Sequence, residues 1–441
     1  MIRSPGRALF APSRPALLCA CLSVVGADAG AQQAYPLAGA PYSAGVTSPA
    51  GATLAVFGSV QGEGADAAAA ARSALRVVEA RLREVGLGKQ NVLRVRAALA
   101  PGAGDGAEFT AWNEAWTSFF DSGHLPARTT VGASALPDGA RIVLDVVAAF
   151  PREAGYPARV DGARETPHPN IRLAGPVESP TVIVSTQAGL FLSSGVLPRR
   201  NDPGTESMEG QMRSSMNQLG AGLADHGLRW QDVFFVRVLP TPQPDRATPD
   251  FGGWAPVYAT LGGLTGGHAP AHTMWASPGF GAGGRFVEIE VWAVPPGPQA
   301  AFAAFDLERP NPLLVMSGSA TSAIASGATI APNAELIWLS GVVAPAGTPP
   351  EQEAAAALGL LKERLAAMGA STADVAELRV YRVASGGTDA LSGAWNDAYG
   401  AEFNTEQQPH KPVRTNYLVE SLPGGRHVEV EVLIVRPPGG F

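Results

Sequence analysis

Three places in this chain set a basic side chain after a proline and one aliphatic residue. Arg128 stands in GHLPARTTVG, His272 in GHAPAHTMW and Arg414 in PHKPVRTNYLV. A stretch of 144 residues separates the first from the second, and 142 separates the second from the third. An arginine offers a planar fork that grips a carboxylate through two parallel hydrogen bonds. A histidine, with an unperturbed pKa of about 6.5, is mostly neutral at pH 7 and has no fork. The middle copy is therefore expected to hold carboxylates poorly. Other polar residues recur with the same period. RFVEIEVWAV and RHVEVEVLIV carry Glu288 and Glu429 at one matching position, where the looser third copy, ARIVLDVVAAF, has Val143. LFLSSGVLP and IWLSGVVAP carry the pairs Ser194–Gly195 and Ser340–Gly341, where LAVFGSVQG has Phe57 in the serine's place. Asn113 and Asn396 each follow a tryptophan in a helical stretch, and Ala255 fills that position in the middle copy.

The elements that carry these residues repeat in one order. A β-rich hairpin comes first, then a long helix with apolar residues at three- and four-residue spacing, ending at a glycine suited to a left-handed cap. A Val- and Leu-rich strand follows, then a shorter helix bearing Trp112, Trp254 or Trp395, then two closing strands. A sheet backed by two helices is an α+β layer architecture. Pro-, Gly- and charge-rich joints at 151–170 and 295–312 divide the chain into units near 36–150, 171–295 and 313–438.

Length and composition bound the rest. The 441 residues suffice for about three domains. Charged residues make up 16% and the net charge is -7, with no basic stripe, so nothing marks a nucleic-acid surface. The first residues read as an export signal: Arg3, Arg7 and Arg14, a short apolar run PALLCACLSVVGA, and a small-residue cut after Ala31. The expected location is periplasmic or extracellular, with a lipid-modified Cys21 as the alternative. Both cysteines, Cys19 and Cys21, lie in that segment, so a mature chain has no disulfide, thiolate metal site or cysteine nucleophile. No later stretch is long and apolar enough to span a bilayer.

Together these motifs resemble the RidA family (reactive intermediate deaminases, formerly YjgF), whose pattern runs N-x-x-Y/W-x-x-F-F, P-A-R-[ST]-x-V, then LP-x-x-x-x-V-E-I-E. The first unit matches through Asn113, Trp116, Phe119, Phe120 and Arg128. The third matches through Ser340, Gly341, Asn396, Tyr399, Arg414 and Glu429. The second keeps Ser194, Gly195 and Glu288 but has Ala255 and His272. The resemblance implies three tandem chorismate-mutase-like domains, folded into an intrachain pseudo-trimer with pockets between neighbouring units. Such a chain is expected to be monomeric. It also implies hydrolysis of 2-imino or 2-enamino acids to 2-keto acids and ammonia, with no metal and no organic cofactor.

In that scheme Arg128 and Arg414 grip the substrate carboxylate, and Glu429 or Glu288 polarises the attacking water. Ser340, Gly341, Ser194 and Gly195 line pockets, Asn113 and Asn396 orient substrate or the arginine strand, and Tyr42 is a pocket tyrosine. At most two pockets are expected to be competent, the one around Arg414 first. Each residue also has a structural alternative. The arginines could pair with a carboxylate across a domain joint, and a glutamate in an alternating strand is ordinarily an exposed charge. A non-catalytic binder of small carboxylates, or a structural or partner-binding module, would use the same scaffold.

Overall fold

In a computed structural model the described residues are 33–36, 43–48, 51–100, 107–120, 125–151, 171–173, 181–185, 189–246, 248–260, 270–280, 283–295, 314–317, 325, 327–331, 334–339, 341–384, 389–403, 405–406 and 410–436. The expected export segment, both interdomain joints apart from their edge residues, Tyr42 and Ser340 lie outside them.

The first unit runs β1 (Gln33–Pro36), β2 (Ser43–Thr47), β3 (Leu54–Gln61), α1 (Ala67–Glu84), β4 (Val92–Leu99), α2 (Ala107–Phe119), β5 (Ala127–Gly132) and β6 (Ile142–Ala149). The second repeats it as β7 (Ile171–Leu173), β8 (Thr181–Ser185), β9 (Phe191–Ser193), α3 (Met208–Asp225), β10 (Val233–Pro240), α4 (Trp254–Thr260), β11 (Ala271–Met274) and β12 (Val287–Ala293). The third is β13 (Leu314–Ser317), β14 (Gly327–Ile330), β15 (Glu335–Leu339), the short β16 (Val342–Val343), α5 (Pro350–Ala367), β17 (Val375–Val383), α6 (Ser392–Glu402), β18 (Val413–Val419) and β19 (Val428–Arg436).

Local chemistry sets these boundaries. Asp66 caps α1 by accepting from the Ala69 N–H at 2.7 Å, and Ser207 caps α3 by accepting from the Gly210 N–H at 3.1 Å. Gly86, Gly227 and Gly369 follow the three long helices with φ of 80°, 67° and 67°, the left-handed turn that a side chain would resist. Each unit sheet has the order β3-β6-β4-β5, β9-β12-β10-β11 or β15-β19-β17-β18. The last pair in each is parallel, and the Trp-bearing helix makes the crossover that a parallel pair requires. One face of each sheet buries a separate apolar core against its helices, with Trp112, Trp254 and Trp395 inside.

The units hand strands to one another in a cycle. β2 of the first unit pairs with β9 of the second, β8 of the second with β15 of the third, and β14 of the third with β3 of the first. Hydrogen bonding therefore runs across unit boundaries, giving one sheet of twelve strands and another of seven. The other faces of the unit sheets point inward and enclose a common centre: the chain is an intrachain pseudo-trimer. An apolar layer containing Phe234, Trp292 and Trp338 and a layer containing Trp275, Tyr381 and Tyr417 lie on either side of buried charge. That charge is itself cyclic. Arg96 bonds Glu290 of the next unit at 2.6 Å, Arg237 bonds Glu431, and Arg379 bonds Asp145 at 3.1 Å, so each arginine reaches the following unit's acid. No helix among the described residues is long and apolar enough to cross a membrane.

Candidate active site

The basic residue of each unit lies on the strand at its sheet's edge, against the next unit. Arg128 on β5 meets the end of β9. Its backbone N–H donates to Ser194 Oγ at 2.8 Å, and its carbonyl accepts from the Gly195 N–H at 3.1 Å. Its side chain is fixed from its own unit: one Nη donates to Asn113 Oδ1 at 2.8 Å, and the guanidinium lies over the Trp116 ring at 5.4 Å. Both Asn113 and Trp116 come from α2, and Trp112 anchors that helix by donating from Nε1 to Thr130 Oγ1 at 3.0 Å. The short helix is thus the splint for the arginine.

Glu288, on β12 of the second unit, completes this wall. It is 5% exposed rather than on an open face, and Gly195 is packed against it so tightly that a Cβ there would stand 2.0 Å from Glu288 Oε1. The other oxygen, Oε2, is buried and has no hydrogen-bond partner among the described residues. Burial raises the carboxyl pKa to about 8; Arg128, Arg96 and Arg94 pull against that rise and do not cancel it. The group is therefore largely a neutral acid at pH 7. Arg128, Asn113, Ser194, Gly195 and Glu288 all line one cavity of about 530 Å³ between the first and second units.

The two other interfaces keep half of this set each. His272 of the second unit faces the third, where its carbonyl accepts from the Gly341 N–H at 3.1 Å. A Cβ on Gly341 would lie 1.9 Å from Glu429 Oε1, the same packing as at Gly195. Glu429 is 4% exposed, and burial, reinforced by Glu431, holds its carboxyl well above the usual range. The imidazole of His272 stacks on Trp254 at 6.4 Å. This interface has the acid and no guanidinium fork. Arg414 of the third unit faces the first, where the Ser59 N–H donates to Thr415 Oγ1 at 2.9 Å. A Cβ on Gly58 would meet Val413 and Thr415 side chains at 2.6 and 2.7 Å, so the strands close on each other there. The acid position is Val143, buried in apolar core. Burial lowers the Arg414 pKa, Tyr399 opposes that and Arg382 adds to it; Tyr399 also stacks under the guanidinium at 4.3 Å. The Asn396 amide donates to Ser392 Oγ at 3.5 Å, and among the described residues no bond like that between Asn113 and Arg128 joins it to Arg414.

This changes the grouping expected from sequence. Arg414 and Glu429 belong to one unit but serve different interfaces, because each basic residue faces the acid position of the following unit, which for Arg414 is Val143. The structure brings Arg128 and Glu288 to one cavity, whereas Arg414 faces the unit that carries Val143 at the acid position. Sequence reading passed over the axial charges, although Arg96, Arg237 and Arg379, like Asp145, Glu290 and Glu431, recur at one position in every unit. Among the described residues no cluster of His, Cys, Asp or Glu is placed to hold a metal ion.

Residues 32–150 match the family model described as Endoribonuclease L-PSP. No curated protein sequence matches the chain. Among solved structures, a YjgF/YER057c/UK114 family member from Mycobacterium tuberculosis is 24% identical, covering 27% of this chain and all of its own, with a TM-score of 0.20. RidA from the Antarctic bacterium Psychrobacter sp. is 19% identical over 30% of this chain and 92% of its own, with a TM-score of 0.20. A chorismatase is 12% identical over 79% of this chain and 94% of its own, with a TM-score of 0.41. The first unit thus matches the family model described as Endoribonuclease L-PSP, and the second and third units repeat its order of elements.

Proposed function

We propose that the protein is an exported hydrolase of 2-imino and 2-enamino acids, releasing the 2-keto acid and ammonia from the pocket between its first and second units. The observation that carries this reading is the meeting of a splinted arginine, Arg128, with a buried neutral carboxyl, Glu288, whose Oε2 has no hydrogen bond among the described residues. Arg128 takes the substrate carboxylate as a fork and sets the C=N carbon in the cavity. The Glu288 carboxyl protonates the imine nitrogen, or the β-carbon of an enamine, giving an iminium. The carboxylate so formed takes a proton from water as that water adds to the carbon. It returns the proton to the amino group, ammonia leaves, and the hydroxyl proton passes back to Glu288 as the carbonyl forms. One water is consumed and Glu288 ends as it began. The apolar run and arginines of the first residues support the exported location.

The two incomplete interfaces favour a second reading, a carboxylate-binding protein without turnover. The test is hydrolysis of imine generated by an amino-acid oxidase, alongside titration with the keto acid. Arg128→Gln is expected to lower kcat/KM by about 100-fold or more, the worth of two charge-assisted hydrogen bonds. Arg414→Gln should stay within about threefold of wild type, as expected away from the reacting centre. Saturable binding lost in Arg128→Gln, with no hydrolysis in wild type, would select the binding reading. Loss of activity in Arg414→Gln alone would move the site to the other interface.

A further inference from the structure

The working cavity is larger and more basic than a three-carbon substrate needs. Its roughly 530 Å³ falls in the range of about 300–1,000 Å³ typical of pockets for much larger ligands. Beyond Arg128 it is lined by two further arginines, Arg199 and Arg285, both from the second unit. Arg285 is half-buried and held in place: its Nε donates to the Pro198 carbonyl at 3.1 Å, and its two Nη groups make no hydrogen bond among the described residues. Arg199 is exposed, its backbone N–H tied to Ser214 Oγ at 3.0 Å, and its guanidinium likewise bonds nothing among the described residues. The neighbouring loop is braced by the buried Gln211, which accepts from the Phe286 N–H at 2.6 Å and donates to the Gly284 carbonyl at 3.0 Å. Besides Glu288 the cavity wall carries one acid, Asp225, and among the described residues it forms no ion pair with either arginine. Arg199 and Arg285 also line a second, smaller cavity with Pro198, Arg200 and Gln211, which Arg128 and Glu288 do not touch, and this sets them apart from the reacting end. The wall of the working cavity also carries the apolar side chains Phe191, Leu219, Leu223 and Phe280.

We infer that this site takes a 2-imino or 2-enamino acid carrying a second anionic group at the far end of an apolar stem, the α-carboxylate on Arg128 and the distal anion on Arg285 and Arg199. The inference rests on the pocket assignment above and names the substrate class for it. Two arginines with unused donors, one of them held through its own Nε, in a cavity with a net positive wall, favour an anion there and disfavour an uncharged side chain of equal length.

Titration calorimetry with keto acids tests this apart from any turnover. The probes are 2-oxoadipate, its analogue with a distal phosphonate, and 2-oxohexanoate, which has the same stem and no second charge. Either dianion is expected to bind wild-type protein at least about tenfold more tightly than 2-oxohexanoate, the scale of one charge-assisted bond. The preference should fall to about one in Arg199→Gln/Arg285→Gln and be kept in Arg285→Lys. Arg199→Gln alone, which changes an exposed side chain, should lower it partway and guards against a folding defect. The same ratio should appear in kcat/KM for the matching imines. Equal binding of the three probes by wild type, or a preference that persists in the double variant, would overturn the inference. Absence of hydrolysis with the binding preference intact would overturn the deaminase reading alone.

Discussion

At the scale of single residues, the proposed reactive group is a carboxyl whose pKa burial raises to about 8. Glu288 starts as an acid in the proposed cycle, so kcat/KM should fall as pH rises through about 8, where burial has moved its pKa from the usual 4.5. Glu288→Gln should lower the rate by about 100- to 10,000-fold and remove that limb of the profile. Stability runs with the same sign. The folded pKa lies above the unfolded one, so the group's contribution is fully present below about pH 4.5 and is lost as pH rises towards 8. At pH 9 the glutamine variant should therefore be the more stable protein by a few kcal/mol, read from denaturant midpoints. An active variant with an unchanged profile would remove Glu288 from the chemistry. Both partners were legible in sequence, since Arg128 and Glu288 each stand in a repeated motif. Their pairing was not: a motif places a residue on its own strand and carries no record of which unit that strand will touch.

At the scale of elements, the site depends on how closely β9 approaches β12. Gly195 leaves the space that Glu288 fills, and Gly341 does the same for Glu429, with would-be Cβ distances of 2.0 and 1.9 Å. The two substitutions Gly195→Ala and Gly341→Ala are thus a matched pair. Each should cost about 1–3 kcal/mol of stability through overpacking. Only Gly195→Ala should also displace the acid facing Arg128, dropping kcat by about 100-fold, since small misplacements at a reacting centre are costly. Equal kinetic losses in both would mean that the cavity's shape is not what limits the reaction. Helix ends were readable here because Gly86, Gly227 and Gly369 act locally, through one backbone angle. The handover of β2, β8 and β14 to neighbouring units was not, because a half-buried strand carries the same pattern whichever edge it joins.

At the scale of the whole molecule, three units become one body through the charge on their common axis. Arg94, Arg96, Arg237 and Arg379 face Asp145, Glu290, Glu377 and Glu431, four of each sign, all at 4% exposure or less. Glu290 alone accepts from Arg94, Arg96, Arg237 and Thr129. Asp145 accepts from Arg379, Thr415 and Tyr417, and Glu431 from Arg237, Arg379 and Tyr381. A complete set of this kind adds little net stability, because desolvating the ions offsets their attraction. Its consequence is specificity: an alternative order of units, or a slipped strand, would strand a charge in a dry core. Glu290→Gln removes one acid and leaves three guanidinium groups from two units short of a counter-charge. It should cost about 3–5 kcal/mol, the usual scale for breaking a buried network from one side. Because the network spans every unit, that loss should shift a single cooperative unfolding transition of the entire chain, seen alike by tryptophan fluorescence and far-ultraviolet circular dichroism. Separate transitions in wild type, or a variant within about 0.5 kcal/mol of it, would show that the axis does not bind the units together.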